Sequence, residues 1–371
     1  MEMRYHGLLA EAAGHSSLLM RQLFDASTGT FTYLLADVIS AKGVLIDSVF
    51  EQHGRDLSLI RELGIELVAS IDTHAHADHV SGSWLMQQAT GCAIGLADAA
   101  RAENVSLPLS HGDRVQFGCR FLGVRSTPGH TDGCLTYVLD DQAMAFTGDA
   151  LLVRGSGRCD FQQGDPGTLW RSIHEQIFSL PDFCLLYPGH DYMGRMVTSV
   201  AEEKAFNARL GGAADERDFI GHMKAMNLPH PHRIAEALPS NLRSGQPAHP
   251  QSAPDWAPLE RSYAGFPQLT PSWVAAHLQE LTILDVRSQE ELQGTDSCIA
   301  GSLNIPLPEL ADRLAEVPQD LPVVVVCHSG SRSALATQLL IQAGLPQVAN
   351  LRGGLIAWEQ AGYSLLQGVT R

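Results

Sequence analysis

The chain has 371 residues, of which 44% are hydrophobic and 18% charged, a composition typical of a globular protein long enough for two domains. Its 41 acidic residues outnumber its 25 basic residues, and the resulting net charge of −16 argues against nucleic acid or an anionic membrane as the main partner. The seven cysteines are scattered and lack CxxC spacing, so we expect neither a disulfide framework nor a zinc knuckle.

The N-terminal sequence has no charged-then-apolar signal pattern, and no window reaches the length of a membrane-spanning apolar run. Together with the cysteine usage, this predicts a protein of the cytoplasm that does not act at a membrane.

The first part of the chain alternates between strand-like and helix-like segments. The patterns predict strands over 31–36 and 43–47, a helix over 56–63, a hairpin of 134–139 with 143–146, and helices over 169–180 and 197–210. Such a mixture indicates an α/β fold for this region.

A cluster of potential metal ligands follows the apolar run at 65–68. His74, His76, Asp78 and His79 lie within six positions in the order H-x-H-x-D-H. Neutral imidazole and carboxylate are ligands for borderline and harder divalent metals, so the cluster predicts a metal site. The alternative interpretation is a polar loop that contains histidines by chance. Since the cluster follows a strand, we expect it on a loop at the end of that strand.

Three further residues occur in the order that such a metal site needs. His130, Asp149 and His190 each follow a strand-like run and stand beside Gly or Pro, which mark tight turns. Separate loops that converge on one ion are the expected geometry, so these residues are candidate ligands together with the cluster.

The composition changes between residues 242 and 266, where four prolines accompany Gly, Ser and Gln. This predicts a linker between an N-terminal domain of residues 1–241 and a C-terminal domain of residues 267–371. An extended arm that packs on one of the domains is the alternative.

The C-terminal region contains a strand at 281–286 and the almost wholly apolar run 321–326, which is typical of a central parallel strand. Cys327 follows that run, and a Ser/Gly-rich loop leads to a helix predicted over 333–344. Backbone N–H groups at a helix N-terminus stabilise a thiolate, and Arg332 adds a cation. Cys327 is therefore a candidate nucleophile, although a buried cysteine more often serves as a small apolar residue.

The two parts of the chain resemble two known families. Residues 1–240 resemble the metallo-β-lactamase superfamily, whose motif is H-x-H-x-D-H followed by His, Asp and His. Residues 269–371 resemble a rhodanese domain in the segments 284–287, 301–306, 327–332 and 351–354. The resemblances imply an α/β chain in which an αββα sandwich precedes a doubly wound parallel-sheet domain.

Within the superfamily, the metal motif fits both dinuclear hydrolases such as glyoxalase II and persulfide dioxygenases, which use one iron. The segments 130–137, 147–162 and 190–192 look like the dioxygenases, and a fused rhodanese domain also handles sulfane sulfur. The chain thus resembles the bacterial persulfide dioxygenase–rhodanese fusions. Two departures are Cys159, where a threonine is usual, and the segment 297–301, which replaces Gly-His-Ile-Pro-Gly.

The resemblance implies that one Fe(II) per chain is held by His74, His130 and Asp149, and that O₂ oxidises glutathione persulfide to sulfite and glutathione. The side chains expected to orient these ligands or support the site are His76, Asp78, His79, His190, Asp191 and Tyr192. Arg154 and Arg158 are candidates for binding glutathione carboxylates, with anchoring of their own loop as an equal alternative.

In the rhodanese domain, the resemblance implies that Cys327 takes sulfur from thiosulfate as a persulfide, stabilised by Arg332 and by the loop residues Ser329, Gly330 and Ser331. Glutathione would accept the sulfur, and the reverse transfer to sulfite would yield thiosulfate. Asp285 and Arg287 are expected to brace the fold. A homo-oligomer is possible, but no sequence pattern specifies one.

Two alternatives of other classes stay open. One is a hydrolase with two zinc ions that acts on a glutathione thioester. The other is a non-catalytic module in which Cys327 only relays sulfur to a partner.

Overall fold

The computed structural model describes residues 17–226, 229, 233–247, 256–293 and 298–366. The chain forms two compact units, Met1–Pro250 and Gln251–Arg371. Within the predicted linker, Ser244 accepts a hydrogen bond from the backbone N–H of Trp84 in the first unit, and Glu260–Arg261 pairs with a strand of the second. Both described ends of that segment therefore pack on a unit, while the boundaries at 241 and 267 stay a prediction.

The first unit contains two six-stranded sheets. One sheet has the order β1-β2-β3-β4-β5-β6, with strands Leu18–Asp25, Thr30–Asp37, Lys42–Ile46, Glu66–Ile71, Ala93–Ala97 and Leu107–Leu109. The other has the order β12-β11-β10-β9-β8-β7, with β7–β12 spanning Arg114–Phe117, Arg120–Ser126, Leu135–Leu139, Met144–Gly148, Leu185–Pro188 and Thr198–Ser199.

Strand β2 shows why the sheets stack. All eight of its residues are buried. Since successive side chains of a strand point to opposite faces, both faces of β2 are covered. Phe31 and Tyr33 point into the core between the two sheets, whereas Leu34 and Ala36 point into a second core beneath a helical layer. Burial on both faces places the sheets in the interior and the helices outside.

Helices cover the outer face of each sheet. The first sheet is covered by α1 and α2, which span His53–Glu62 and Ser83–Thr90. The second is covered by α3, α4 and α5, which span Pro166–Ser172, Val200–Phe206 and Glu216–Ala225, and α6 spans Ile234–Asn241. A π-helical turn, Ile173–Ile177, continues α3. This αββα arrangement confirms the predicted fold of the region.

The predicted helix over 197–210 is shorter in the structure. Thr198–Ser199 pairs with β11 as an edge strand, and the Ser199 hydroxyl accepts a hydrogen bond from the Glu202 N–H. That capping bond starts the helix at Val200, because it satisfies a backbone donor that has no partner within the helix.

The second unit has one six-stranded sheet of order β13-β14-β18-β17-β15-β16. Its strands β13–β18 are Glu260–Arg261, Pro267–Leu269, Thr282–Asp285, Leu303–Asn304, Val323–Val326 and Val348–Leu351, and its helices α7–α11 are Pro271–Ala276, Gln289–Gln293, Leu307–Leu310, Ser331–Gln342 and Gly354–Gln360. All pairings except β13 with β14 are parallel, and the apolar β17 lies between β15 and β18 as predicted. The predicted parallel-sheet domain is confirmed.

Across the residues described above, no helix combines the length and the apolar content needed to cross a lipid bilayer.

Candidate metal centre and cysteine loop

The topology of the first unit brings four loops to one edge. In the second sheet, β8, β10 and β11 run in the same direction, since β9 is antiparallel to β8 and β10. His130, Asp149 and His190 follow the ends of these three strands, and His74 follows β4 of the facing sheet. Two hydrogen bonds join the sheets at this edge, from Leu135 N–H to Thr73 O and from the Tyr137 hydroxyl to Asp72 O, at 2.8 and 2.7 Å.

The three predicted metal ligands lie together. One ligand atom from each of His74, His130 and Asp149 lies within 4.8 Å of the others. His130 Nε2 is 3.7 Å from Asp149 Oδ2, which is too long for a hydrogen bond. Two ligands that each lie about 2.1 Å from one ion are separated by roughly 3–4 Å, so this spacing leaves room for a metal between the two atoms.

Neighbouring acceptors determine which nitrogen of His130 can bind a metal. His130 Nδ1 donates to the Arg158 carbonyl oxygen at 2.6 Å. Because a carbonyl oxygen can only accept, Nδ1 carries the proton and Nε2 presents a lone pair to the centre. Partners of this kind orient histidine ligands in metal sites.

His74 is oriented by a two-step chain of hydrogen bonds. The Thr73 hydroxyl donates to Asp47 Oδ2 at 2.9 Å and therefore accepts from His74 Nδ1 at 3.0 Å. Asp47 Oδ1 also accepts from the Thr73 backbone N–H at 2.6 Å. His74 Nε2 is thus left unprotonated and available to a metal, and burial holds the pKa of His74 well below its ordinary value.

His190 lies between two carboxylates. Its Nδ1 is 2.6 Å from Asp149 Oδ1 and its Nε2 is 2.8 Å from Asp78 Oδ2. Burial lowers the pKa of His190, but the two carboxylates outweigh burial and raise it well above its ordinary value. His79 Nδ1 also contacts Asp78 Oδ2, at 3.0 Å. In this arrangement both nitrogens of His190 face carboxylates, and His190 forms a second group of possible ligands with His76, Asp78 and His79, whose ligand atoms lie within 4.8 Å of one another.

A further buried cluster lies behind His74. His76 Nε2 donates to Asp47 Oδ1 at 3.2 Å, and although burial opposes the charged form, the carboxylate raises the pKa of His76 to about 9. Burial raises the pKa of Asp72 to about 7, and its Oδ2 accepts from the Ser81 hydroxyl at 2.7 Å. His76 Nδ1 and His79 Nε2 are buried without a hydrogen-bond partner. Asp47, Asp72 and Thr73 were not among the predicted site residues, although Asp47 is the last residue of the strand predicted over 43–47.

A cavity of about 550 Å³ opens beside the three ligands. Tyr192 and Phe161 form aromatic walls, with ring centroids 6.4 Å from His190 and 5.9 Å from His130 respectively. Arg158 and Arg233 bring two cations to the same lining. The site thus joins a candidate metal centre to a pocket with apolar walls and basic groups.

The remaining predicted site residues take different places. Arg154 donates to the carboxylates of Glu202 and Glu203 and is not among the residues that line this cavity. Arg158 lines the cavity and also pairs with Asp160 at 2.6 Å. Asp191 accepts backbone N–H bonds from residues 193 and 195, and so stabilises the loop that carries Tyr192.

Cys327 lies in a ring of donors in the second unit. Its Sγ accepts from Gly330 N–H at 3.2 Å, Ser333 N–H at 3.4 Å and the Ser333 hydroxyl at 3.3 Å. Gly354 packs against this loop with φ of 61°, and a Cβ there would clash with the Cys327 carbonyl. Ser329 and Ser331 are exposed at the loop surface.

Arg332 extends from the end of the loop to a carboxylate. Its two terminal nitrogens donate to the two oxygens of Glu291 at 2.7 Å each, and chiefly this pairing lowers the pKa of Glu291 to about 2. The predicted brace is also present, since the buried Arg287 and Asp285 form an ion pair at 2.8 Å.

Comparisons with known proteins place both units. Residues 28–190 match the metallo-β-lactamase superfamily, and residues 270–361 match the rhodanese-like domain. Over 229 residues, or 62% of this chain, the sequence is 48% identical to persulfide dioxygenase ETHE1, mitochondrial, of Homo sapiens and covers 89% of that protein. The Mus musculus protein of the same name is 46% identical over 239 residues, covering 64% of this chain and 93% of that protein. The chain belongs to the persulfide dioxygenase family.

A solved structure supports this placement in the persulfide dioxygenase family. ETHE1 from Myxococcus xanthus is 44% identical, with a TM-score of 0.60, and the match covers 62% of this chain and 100% of that one. The predicted resemblance to a persulfide dioxygenase with a C-terminal rhodanese domain is confirmed.

Proposed function

We propose that this chain is a bifunctional enzyme of sulfur metabolism. The first unit oxidises glutathione persulfide with O₂ to glutathione and sulfite, using one Fe(II) held by His74, His130 and Asp149. The second transfers sulfane sulfur between thiosulfate and glutathione through a persulfide on Cys327. The observation that carries the first activity is the hydrogen bonding that leaves Nε2 of both histidines unprotonated beside one carboxylate.

The residues fit iron. Two imidazoles and one carboxylate form the facial set that binds Fe(II) in oxygenases and leaves coordination positions open. When bound, the iron would supply a site for the persulfide sulfur and for O₂. The net reaction balances as GSSH + O₂ + H₂O giving GSH + SO₃²⁻ + 2H⁺, in which the outer sulfur is oxidised and O₂ is reduced.

The protein's own groups hold this set in place. The Asp47–Thr73 pair orients His74, the Arg158 carbonyl orients His130, and His190 holds Asp149 Oδ1. These contacts fix the donor atoms before substrate arrives, which reduces the reorganisation needed during the reaction.

The cavity gives the persulfide a place to bind. Glutathione carries two carboxylates, and Arg158 and Arg233 lie in the lining with side chains that already contact acidic residues. Arg154 is directed at Glu203 instead, so we assign it to anchoring the loop after β10. Tyr192 stacks on His190 at the rim and would close the pocket beside the metal.

The contacts of His190 favour one metal over two. In a dinuclear site Asp78, His79 and His190 would each direct a lone pair at a second ion. Here both nitrogens of His190 face carboxylates, and Asp78 Oδ2 is shared with His79. These pairings support a mononuclear dioxygenase over a zinc thioester hydrolase.

Oxygen consumption tests the first activity. We expect iron-loaded protein to take up O₂ and form sulfite on addition of glutathione persulfide, and Asp149→Ala to lose this activity because it removes a metal ligand and the partner of His190. Metal analysis should give about one iron per chain in the wild-type protein. Iron-loaded protein that takes up no O₂ would contradict the proposal, and hydrolysis of a glutathione thioester with two zinc ions would replace it.

The geometry of the cysteine loop supports the second activity. The thiolate of Cys327 attacks the outer sulfur of thiosulfate, a new S–S bond forms, and sulfite leaves with the electron pair of the broken S–S bond. The donors around Sγ stabilise the anion before and after transfer.

A cysteine variant tests it. We expect Cys327→Ser to abolish sulfur transfer from thiosulfate to glutathione and to leave O₂ uptake with added glutathione persulfide unchanged. Cys119→Ser is the matched control, because Cys119 is an exposed free thiol outside both sites. Persistent transfer by the Cys327→Ser protein would exclude this residue as the sulfur carrier.

A further inference from the structure

The cation of the cysteine loop is already held by a carboxylate of the same unit. The guanidinium of Arg332 donates two parallel hydrogen bonds to Glu291, each of 2.7 Å. Glu291 also accepts from the Ser288 backbone N–H at 3.0 Å, which fixes the carboxylate on α8. Bidentate pairs of this geometry are the strong form of the arginine–carboxylate contact.

This pairing has a cost for anion binding. Arg332 is the only permanently charged cation in the six-residue loop from Cys327 to Arg332. Thiosulfate carries two negative charges, so it needs a cation at the mouth of this loop more than a donor with one charge does. The carboxylate of Glu291 competes for that same guanidinium.

We propose that Glu291 is a specificity-determining residue, which occupies Arg332 and thereby weakens the binding of dianionic sulfur donors relative to donors of lower charge. The inference rests on the proposed sulfurtransferase function of the second unit. It assigns Glu291 a role in donor selection and none in the exchange of the S–S bond.

The location of the pair determines which kinetic constant changes. An incoming sulfonate group must displace Glu291 from Arg332 or share the guanidinium with it, and this penalty is met on binding. Nucleophilic attack by Cys327 uses the backbone donors of Gly330 and Ser333, which Glu291 does not contact in the hydrogen bonds described. Removal of the carboxylate should therefore lower KM and leave kcat nearly unchanged.

The test compares two sulfur donors with the full-length protein and cyanide as acceptor. We expect Glu291→Gln to lower KM for thiosulfate by roughly three- to tenfold, because the pair is partly exposed and screened by solvent. The KM for benzenethiosulfonate, which has one charge, should fall less. Both kcat values should stay within about twofold of wild type.

A neighbouring carboxylate provides the matched control. Glu290 lies on the same helix and is exposed, and its side chain bonds to Ser288 rather than to Arg332. Glu290→Gln removes the same charge from the adjacent position and should leave both KM values unchanged. A similar fall of KM in this variant would overturn the proposal, since it would reveal a general effect of net charge.

Three other outcomes are decisive. An unchanged or higher KM for thiosulfate in Glu291→Gln, or an equal fall for both donors, would contradict donor selection by Glu291. If that variant does not fold, Glu291→Asp retains the charge but shortens the side chain and so weakens the pair with Arg332, and it should lower KM for thiosulfate by more than KM for benzenethiosulfonate; unchanged KM values would contradict the proposal. Absence of turnover by the wild-type protein would instead contradict the proposed sulfurtransferase function.

Discussion

At the scale of single residues, a threonine hydroxyl decides which nitrogen of His74 faces the metal centre. The hydroxyl donates to Asp47, so it can accept the Nδ1 proton of His74 and leaves Nε2 free. The ligand is thereby prepared by two residues that do not themselves reach the cavity.

We predict that Thr73→Val weakens iron binding by about tenfold, because the imidazole loses the acceptor that fixes its tautomer and orientation. Iron titration followed by metal analysis of the desalted protein measures the effect. Thr136→Val is the control, since its buried hydroxyl bonds to Thr127 at 3.1 Å. Equal iron affinity in the Thr73→Val protein would show that the hydroxyl does not orient His74.

The sequence predicts the candidate ligands and His190, which contacts Asp149, but not the groups that orient His74 and His130. His74, His130, Asp149 and His190 can be found because their residue types and order are specific. Asp47 and the Arg158 carbonyl act across 26 and 28 positions of the chain, and a backbone carbonyl has no signature in a sequence. Such contacts exist only after the two sheets have stacked.

At the scale of elements, helix α4 holds the loop after β10. Glu203 is fully buried on this helix and accepts hydrogen bonds from the backbone and guanidinium of Arg154, the hydroxyl of Thr198 and the amide of Asn207. The loop that leads from Asp149 to Arg158 is therefore fixed at its midpoint by one side chain.

We predict that Glu203→Gln lowers the free energy of unfolding by roughly 2–4 kcal/mol and reduces O₂ uptake, because it leaves a partly buried guanidinium without its main partner. Thermal unfolding together with the oxygen assay measures both effects. Glu202→Gln is the control, since Glu202 contacts the same Arg154 from an exposed position and should change stability by less than about 0.5 kcal/mol. Similar losses in the two variants would contradict the anchoring role.

The elements themselves were largely predictable from the periodicity of apolar residues. The strands at β2, β3 and β17 have the expected positions because each buries a continuous apolar run. Helix ends were harder to predict, as α4 shows, since the pairing of Thr198–Ser199 with β11 depends on the folded sheet.

At the scale of the whole molecule, the first unit contains a buried charge that opposes its stability. Asp56 lies fully buried on α1 beside Arg55, and its Oδ2 has no hydrogen-bond partner. Burial raises the pKa of Asp56 to about 6. The folded protein thus binds a proton more readily than the unfolded chain, so this residue contributes stability below about pH 4 that is lost as the pH rises through about 6.

We predict that Asp56→Asn stabilises the protein at pH 7.5 by on the order of 2 kcal/mol and by less at pH 5.0. The variant carries no charge at position 56 at either pH, whereas the wild-type carboxyl is charged at pH 7.5 and largely protonated at pH 5.0. The thermal midpoint of the variant and of wild type at the two pH values measures the difference. Asp98→Asn, at an exposed position, is expected to change neither midpoint. A gain for Asp56→Asn that is the same at both pH values would contradict the assignment.

The division into two units was predictable from composition and from the two family resemblances, because each half has its own core-forming runs. Among the described residues, three hydrophobic clusters lie in the first unit and two others lie in the second. The contact between Arg332 and Glu291 was not predictable, because the two residues are 41 positions apart. Arginine and glutamate are also common at protein surfaces, so their residue types do not indicate which of them will pair.

The separation of the apolar core from the candidate metal ligands has an evolutionary consequence. In the first unit, the apolar clusters lie between and outside the sheets, while His74, His130, Asp149 and His190 stand on loops beyond the strand ends. A loop can therefore acquire new substitutions without disturbing the interior, and one scaffold can diversify into enzymes of unrelated chemistry. Common ancestry among such enzymes is therefore expected to be visible in the buried sheets, whereas their different activities are expected to depend on the loops at the strand ends.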